Sequence, residues 1–312
     1  MRFGIRAGQK LEIGDMRWPL VYSSLLVLVL LCGCERHIEF GPTPKGKVLL
    51  AISFEERGRL LERLGFTNLP CSSLGRDSKG NRLFWSVSAG GEQDTNKEFL
   101  IVVTAQGAHV KPWGIGNLWP SDEGELAVWQ EKKGKGFGYR MQNGEWLPEG
   151  GHPEEVAGDW ILLSSLGRNQ WLAKRDTPSV VAAEFPGPED TRIHVFTDGQ
   201  DVHVFVTRIW WVPDPNAKGG YAVDKESLEY QLFDFSRKER QPVRKTTLPS
   251  WTACGVEMDP ETGMVVINSS PSGWRSYTLL DLNTGKRKAL SDSPWKFFVK
   301  KEVAQKWIEL TK

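Results

Sequence analysis

Ser121-Asp-Glu-Gly124-Glu-Leu-Ala-Val-Trp129 is the stretch that decides the fold: a polar turn ends in glycine, and an apolar strand follows at once. Glycine suits the last position of a tight hairpin turn because φ is positive there, a conformation that a residue with a Cβ resists. Asp259-Pro-Glu-Thr-Gly263 is followed by Met-Val-Val-Ile in the same way. The pattern predicts a β-hairpin at both places.

Three further segments carry the same pattern, so the chain contains an internal repeat. They are Asp77-Ser-Lys-Gly80, Ser165-Leu-Gly167 and Thr197-Asp-Gly199, each placed before a strand-like run. The turn glycines stand 44, 43, 32 and 64 residues apart, which gives a mean of about 46. A four-stranded propeller blade has a similar length, ~40–45 residues.

A second recurrence links two of the later units. Tyr230-Gln-Leu-Phe-Asp234 and Tyr277-Thr-Leu-Leu-Asp281 have matching aromatic, aliphatic and acidic positions at an offset of 47. Asn283-Thr-Gly285 after the second copy and Gln142-Asn-Gly144 in an earlier unit have the composition of hairpin turns. The Pro- and Gly-rich segment 212–220 is interpreted as an insertion loop that lengthens the fourth unit.

These units resemble the blades of TolB-like and WD40-like β-propellers, whose strands follow a Ser-Pro-Asp-Gly-type turn and end in an Asp-x-x-Thr-Gly-type turn. The resemblance covers residues 70–290 and implies an all-β fold, a β-propeller of about five to six four-stranded blades. A large β-sandwich or an open run of hairpins is the alternative.

The N-terminal region has the composition of a secretory signal. Its apolar run from Leu25 to Leu31 follows Arg17 and is shorter than the ~20 apolar residues that span a bilayer. The run ends in Leu31-Cys32-Gly33-Cys34, which resembles the lipobox of bacterial lipoproteins, although Cys32 stands where Ala or Ser is usual. The resemblance implies cleavage before Cys34 and acylation of that cysteine. An uncleaved anchor helix or a buried core helix is the alternative.

These features divide the chain into three regions. Residues 1–33 are expected to form the signal peptide, with a natural start at Met16, residues 34–47 the lipid anchor and tether, and residues 48–312 the propeller-like domain. Ser53-Phe-Glu-Glu56 has capping-box spacing, which predicts a short helix over residues 54–64. Near the C-terminus, Val299, Val303 and Trp307 fit a helix, whereas Trp295-Lys-Phe-Phe-Val fits a strand.

The net charge argues against nucleic acid as a partner. The chain carries +1, and removal of residues 1–33, which carry +2, leaves −1 without a block of basic residues. Nucleic-acid binding needs a basic footprint, and a polybasic membrane contact needs one too. The membrane is therefore expected to be reached through lipid on Cys34. Glu35 follows that cysteine, whereas the inner-membrane retention signal of enteric bacteria uses Asp, so the periplasmic face of the outer membrane is expected.

Two cysteines lie within the expected domain. Cys71 and Cys254 each stand nine residues before a turn glycine, so they occupy equivalent places in the first and last units. If ring closure makes those units neighbours, the two cysteines form a disulfide, and separate buried thiols are the alternative. Neither cysteine belongs to a pattern with metal-ligand spacing, so no metal and no cofactor is expected.

Tryptophan is over-represented, with 14 residues, and most of them follow turns or end strands, as expected for packing between blades. Trp113, Trp210 and Trp211 stand beside loops instead. Neighbouring side chains of a strand point to opposite faces, so one of Trp210 and Trp211 is expected to face solvent. These three are the candidate ligand-facing aromatics, suited to a sugar ring or a peptide.

No catalytic signature stands out. The chain lacks a Gly-x-Ser-x-Gly elbow and a phosphate-binding loop. Glu154 and Glu155 have the residue type of a glycosidase pair, but are interpreted as solvated residues of a polar loop. His194 is interpreted as a structural histidine.

The sequence therefore predicts a non-catalytic envelope lipoprotein that binds an envelope protein or polymer through a propeller face. The alternative is a carbohydrate-active envelope enzyme on the same scaffold. It requires two or three carboxylates that converge in the central funnel.

Overall fold

The computed structural model describes residues 38–312 apart from short gaps. The gaps are residues 44, 67–70, 90–96, 114–116, 122–123, 133–136, 142, 149–150, 166–168, 189, 218, 238–240, 249–252, 270–275 and 294. Only the backbone is described at several strand ends, among them 71–74, 113, 117–121, 124–129 and 253–254. The expected signal peptide and Cys34 lie outside the described residues.

Five blades follow one another along the chain, and each strand of a blade pairs antiparallel with the next one. Blade 1 contains β3 (Cys71–Arg76), β4 (Leu83–Ala89), β5 (Lys97–Val103) and β6 (Ala108–Trp113). Blade 2 contains β7 (Asn117–Ser121), β8 (Gly124–Glu131) and β9 (Phe137–Met141). Blade 3 contains β10 (Gly151–Ala157), β11 (Trp160–Ser165), β12 (Gln170–Lys174) and β13 (Thr177–Phe185).

The last two blades complete the series. Blade 4 contains β14 (Asp190–Thr197), β15 (Val202–Pro213), β16 (Tyr221–Phe233) and β17 (Arg244–Leu248), with a 3-10 turn at Phe235–Arg237 between the last two. Blade 5 contains β18 (Ala253–Asp259), β19 (Met264–Ser269), β20 (Ser276–Asp281) and β21 (Arg287–Leu290). A separate closing sheet joins β1 (Ile38–Phe40) and β2 (Lys47–Ile52) to β22 (Trp295–Lys300).

The all-β propeller is confirmed, but the predicted uniform set of four strands is wrong in two sheets of the described chain. The closing sheet has three strands. Blade 2 also has three, and its fourth strand is reduced to a single bridge between Arg140 and Trp146. Five blades therefore come from consecutive segments, and the sixth sheet is assembled from both ends of the domain.

Three repeat glycines occupy the turn between the first and second strand of a blade, whereas Gly124 is the first residue of β8. Gly80, Gly199 and Gly263 have positive φ at this turn, as the pattern predicted. Gly167 lies outside the described residues; in blade 3 the turn between the first and second strand contains Gly158, with φ of 56°. At Gly80 a Cβ would also stand 3.0 Å from the carbonyl oxygen of Phe298, so the turn requires glycine on two grounds.

The first strand of a blade is innermost, and β22 has the corresponding place in the closing sheet, beside β18. These innermost strands end on the same side of the propeller. The Lys300 amide, at the end of β22, donates to the Gly80 carbonyl at 2.9 Å. Similarly, Arg76 at the end of β3 donates from Nη2 to the Met258 carbonyl at 2.7 Å. We call this side, with the turn glycines, the turn face, and the opposite side, where first strands begin, the start face.

Residues 38–40 of the expected tether form strand β1, which pairs antiparallel with β2. Of the expected tether 34–47, residues 38–40 and Lys47 therefore belong to strands of the closing sheet. Glu39 in β1 is held by Lys296 of β22, whose Nζ lies 3.3 Å from the carboxylate. Residues 34–47 are polar and rich in Pro and Gly, so the sequence did not indicate the three-residue strand β1.

Two helices flank the closing sheet. Helix α1 (Phe54–Arg63) has the predicted capping box: the Glu56 amide donates to Ser53 Oγ at 3.1 Å, and the Ser53 amide to the Glu56 carboxylate at 2.8 Å. At the C-terminus both interpretations hold in turn, since β22 is followed directly by helix α2 (Lys301–Thr311). Alternate apolar residues of β22 and Val303 and Trp307 of α2 are buried in one cluster with blade 1.

The apolar core lies between the sheets rather than at the centre of the propeller. Separate clusters join the closing sheet to blades 1 and 5, blade 4 to blade 5, and blade 3 to blades 2 and 4. Each fully buried large side chain, such as Phe205 or Phe298, stabilises the stack by about 1.5–3 kcal/mol. The inner faces of the first strands are left for polar residues.

Candidate functional site

A central cavity of about 490 Å³ is lined mainly by the innermost strands of several sheets. β3, β10, β14, β18 and β22 all contribute, with side chains that include Arg76, Glu155, His194 and Glu257. These four ionisable residues come from four different blades. The cavity floor and walls also include the rings of Phe84, Phe196 and Phe297.

Glu155 and His194 form a pair across blades 3 and 4. His194 Nδ1 lies 3.4 Å from the Glu155 carboxylate, and the second carboxylate oxygen accepts the Val195 amide proton at 2.7 Å. Both side chains are partly exposed to the cavity, at 25% for His194 and 29% for Glu155. The backbone contact fixes the carboxylate, while the imidazole stays accessible to a ligand.

Arg76 and Glu257 form a second pair across blades 1 and 5. The Arg76 guanidinium donates from Nε to the Glu257 carboxylate and from Nη2 to the Met258 carbonyl, the latter at 2.7 Å. The same carboxylate oxygen accepts the Phe298 amide proton at 3.2 Å. Arg76 is largely enclosed, with 8% of its side chain exposed, whereas 16% of Glu257 is exposed.

The cavity shifts the pKa values of two of these groups. Burial raises the pKa of Glu257, and the charge of Glu155 raises it further, although Arg76 opposes the shift. Burial alone would lower the pKa of His194, but the charge of Glu155 and its hydrogen bond outweigh burial, so the pKa is raised. The two pairs thus sense each other electrostatically, as ionisable groups of functional sites commonly do.

The raised pKa of His194 predicts a pH-dependent contribution to stability. The folded protein holds this proton more tightly than the unfolded chain does. The stabilisation is therefore full below about pH 6.5, the ordinary pKa of histidine, and is lost as pH rises through the pKa of the folded state. We expect His194→Gln to reduce the loss of unfolding free energy between about pH 6 and about pH 8. Urea titrations at both pH values measure it. His109→Gln, in an exposed residue of β6, is the control, and an unchanged pH dependence in His194→Gln would contradict the prediction.

Gln170 supplies an unsatisfied hydrogen-bond acceptor at the cavity. Its amide nitrogen lies 3.4 Å from the Thr191 carbonyl, and its side-chain oxygen is buried without a hydrogen-bond partner among the described residues. A buried acceptor without a partner costs about 1–3 kcal/mol. A ligand with a hydroxyl or amide donor would remove that cost.

Two residues to which the sequence analysis gave no functional role, Glu155 and His194, line the cavity. Glu154 and Glu155 belong to strand β10, so their interpretation as part of a polar loop is wrong. Both line the cavity: Glu155 faces His194, and Glu154 accepts a hydrogen bond from Ser164. His194 is a cavity residue as well as a structural one.

The predicted aromatics lie elsewhere. Trp211 is 46% exposed near the end of β15, as expected for one member of the pair, and its Nε1 lies 3.3 Å from Asp190. Trp210 is half-buried beneath Lys225, whose Nζ lies 5.1 Å from the ring. The side chains of Trp113, Cys71 and Cys254 lie outside the described part, so the ligand contact of Trp113 and the disulfide stay predictions.

Sequence reasoning missed Arg76, Glu257 and Gln170. For Arg76 and Glu257 a signal was present: both stand in the strand that precedes a repeat turn, before Gly80 and Gly263 respectively. In a propeller that strand is innermost, so polar residues there face the axis. Gln170 lies in a third strand and has no such signal.

The described residues contain no group of three or more His, Cys, Asp or Glu side chains placed to hold a metal ion. Among the same residues, no helix combines the length and apolar character needed to cross a membrane.

No family model and no curated protein matches this chain. Among solved structures, it is similar to the β-propeller domain of the Trilobed protease from Pyrococcus furiosus, with 9% identity and a TM-score of 0.39 over 71% of this chain and 70% of that one. The complex of KlAtg21 with the coiled-coil of AgAtg16 gives 8% identity and a TM-score of 0.41 over 71% and 69% of the two chains. The Pseudomonas aeruginosa periplasmic gluconolactonase PpgL gives 13% identity and a TM-score of 0.34 over 72% and 87%. At these values the likeness concerns the propeller fold alone.

Proposed function

We propose that this protein is an envelope lipoprotein, attached through lipid on Cys34, that binds the polar part of an envelope polymer in its central cavity. The lipobox-like Leu31-Cys32-Gly33-Cys34 supports the attachment. The convergence of Arg76, Glu155, His194 and Glu257 on one cavity is the observation that carries the binding function. The ligand thus binds in the cavity at the propeller axis rather than on an outer face of the propeller.

The enclosed ion pairs support a polar ligand. Apolar residues of similar volume in their place would often make the protein equally stable or more stable, so stability alone does not account for the charged residues in the cavity. The propeller is already held together by the apolar clusters between its sheets. The cavity volume of about 490 Å³ lies within the ~300–1,000 Å³ of small-molecule sites. Donors and acceptors beside phenyl rings suit a sugar unit or a short peptide stem.

Substitutions at Glu155 and Gln170 test the binding site. We expect Glu155→Gln and Gln170→Leu each to weaken binding of soluble envelope-glycan fragments by about 10–100-fold, because the first removes a cavity carboxylate charge and the second a buried hydrogen-bond acceptor. Isothermal titration calorimetry measures the affinity. Glu184→Gln, in an exposed residue of β13, is the matched control for loss of a carboxylate. Equal affinity of all variants, or no binding of any glycan or peptide fragment by the wild-type protein, would refute the cavity as the binding site.

A carbohydrate-active enzyme is the second candidate, and one observation favours it. Glu155 and Glu257 line the same cavity, and the raised pKa of Glu257 suits a proton donor, as a glycosidase acid requires. Product analysis of the same incubations separates the two functions. Hydrolysis that Glu257→Gln abolishes would favour the enzyme, whereas bound and intact glycan favours the binding protein.

A further inference from the structure

The N-terminal end of the domain reaches the start face. Strand β1 is parallel to β22, because both pair antiparallel with β2, so Ile38 lies on the side where Trp295 begins β22. Three residues separate Ile38 from Cys34, and four residue steps span at most about 14 Å. A lipid on Cys34 would therefore hold the start face close to the bilayer.

An exposed aromatic cluster lies beside this chain end. Phe54, the first residue of α1, is 55% exposed and packs edge-on against Trp295, with ring centroids 4.6 Å apart. The Arg57 guanidinium lies 4.7 Å from the Trp295 ring and 5.4 Å from the Phe54 ring. Ile52, which precedes α1, pairs with Trp295, so the cluster belongs to the start face. Aromatic rings with an arginine above them suit the boundary between lipid headgroups and acyl chains.

A second exposed aromatic group projects from the same face in blade 4. Ile209 of β15 pairs with Asp190, where β14 begins, and the β15–β16 hairpin continues four residues beyond that point to the pair Pro213 and Tyr221. The projecting part is the insertion loop expected from the sequence, and it is an extended hairpin. It carries a set of exposed apolar residues: Trp211 at 46%, Val212 at 40%, Tyr221 at 60% and Val223 at 40%.

We propose that the start face docks on the lipid bilayer, with the Phe54 cluster and the hairpin tip as two contact points in the interfacial layer. The inference rests on the lipid anchor of the proposed function. Blade 5 separates the closing sheet from blade 4, so the two points are spread over the face rather than merged. The short link to Cys34 selects the membrane as the occupant, since it leaves little room for a protein between the face and the lipid.

The charges at the hairpin define what kind of lipid surface fits. Asp214 and Asp224 flank the tip, and Lys225 lies next to them, so the described tip has no excess of basic residues. Aromatic and aliphatic burial therefore provides the contact, and binding should not need anionic lipid. Docked in this way, the turn face, where Ser78 and Pro260 reach the cavity, points away from the bilayer and toward the ligand.

Site-specific photocrosslinking tests the docking. A benzophenone-bearing phenylalanine replaces Phe54 or Tyr221 in the full chain, purified from membranes and reconstituted in phosphatidylcholine vesicles, with and without phosphatidylglycerol. Gln200, exposed in the β14–β15 turn on the turn face, is the control position. We expect lipid adducts at positions 54 and 221 in both vesicle types and none at position 200.

Mass spectrometry of the mature N-terminal peptide is read in parallel. Acyl chains on Cys34 without lipid adducts at positions 54 and 221 would overturn the docking and leave the anchor in place. The same applies if these positions crosslink protein in native envelopes, or if position 200 labels equally. An unmodified Cys34 would instead remove the anchor, and the docking inference with it.

Discussion

Replacing Lys47 with methionine is expected to destabilise the domain by about 3–5 kcal/mol, because the change leaves a buried carboxylate without its counter-ion. Lys47 Nζ lies 2.9 Å from Asp259 and 3.3 Å from Glu261. Asp259 is fully buried, and only 6% of the Lys47 side chain is exposed. The pair joins β2 of the closing sheet to the last residue of β18 in blade 5, so it connects the N-terminal strands to the last blade.

Urea unfolding of three further variants makes this prediction specific. Lys45→Met removes a neighbouring lysine that is 65% exposed and 3.2 Å from Glu261, and it should change stability by less than about 1 kcal/mol. The double variant Lys47→Met with Asp259→Asn removes the unpaired charge. Its loss of unfolding free energy should be smaller than the sum of the losses of the two single variants. A loss below 1 kcal/mol for Lys47→Met, or simple additivity in the double variant, would show that the pair is not coupled.

Trp307→Ala is expected to cost about 3–5 kcal/mol, the usual effect of removing a large aromatic side chain from a closed core. Trp307 of α2 has no exposed surface and packs edge-on against Trp85 of blade 1, with ring centroids 5.9 Å apart. Its cluster also contains Leu60 of α1 and Val299 of β22. Helix α2 therefore fastens the closing sheet to blade 1, and its loss should loosen the ring at that joint.

The conservative variant Trp307→Phe distinguishes packing from polar effects. Trp307 Nε1 is buried without a hydrogen-bond partner among the described residues, so phenylalanine loses volume but no bond. We expect Trp307→Phe to lose markedly less stability than Trp307→Ala in thermal and urea unfolding. Glu302→Ala, in an exposed residue of the same helix, is the control. Equal losses for all three variants would contradict the prediction, because the Trp307 contact would then contribute no more than an exposed residue of the helix.

Both predictions concern the closing sheet, which is the part of the fold least visible in the sequence. The blades repeat along the chain, and the local sequence around Gly80, Gly199 and Gly263 predicted the hairpin turns at these positions. The pairing of β2 with β22 connects residues 47–52 to residues 295–300 and has no local signal.

The candidate site was predictable only in part. Glu155 and His194 were noticed as residue types, but their strands were not recognised as innermost, so both were treated as background. Arg76 and Glu257 are 181 residues apart and meet because the closing sheet brings blades 1 and 5 together around the axis. Which polar side chains of the first strands converge depends on strand order around the ring, and no spacing along the chain encodes it.

By itself, the sequence determined the local elements: the glycine turns with positive φ, the alternating strands between them and the capped helix α1. These depend on φ/ψ preferences and hydrophobic periodicity over a few residues, which are properties of adjacent positions. The tertiary structure alone decided how the ring closes, which charges are buried together, and that Phe54 and the tip of the β15–β16 hairpin share one face with Ile38. Those features arise from contacts between residues far apart in sequence, where burial and electrostatics act through space rather than along the chain.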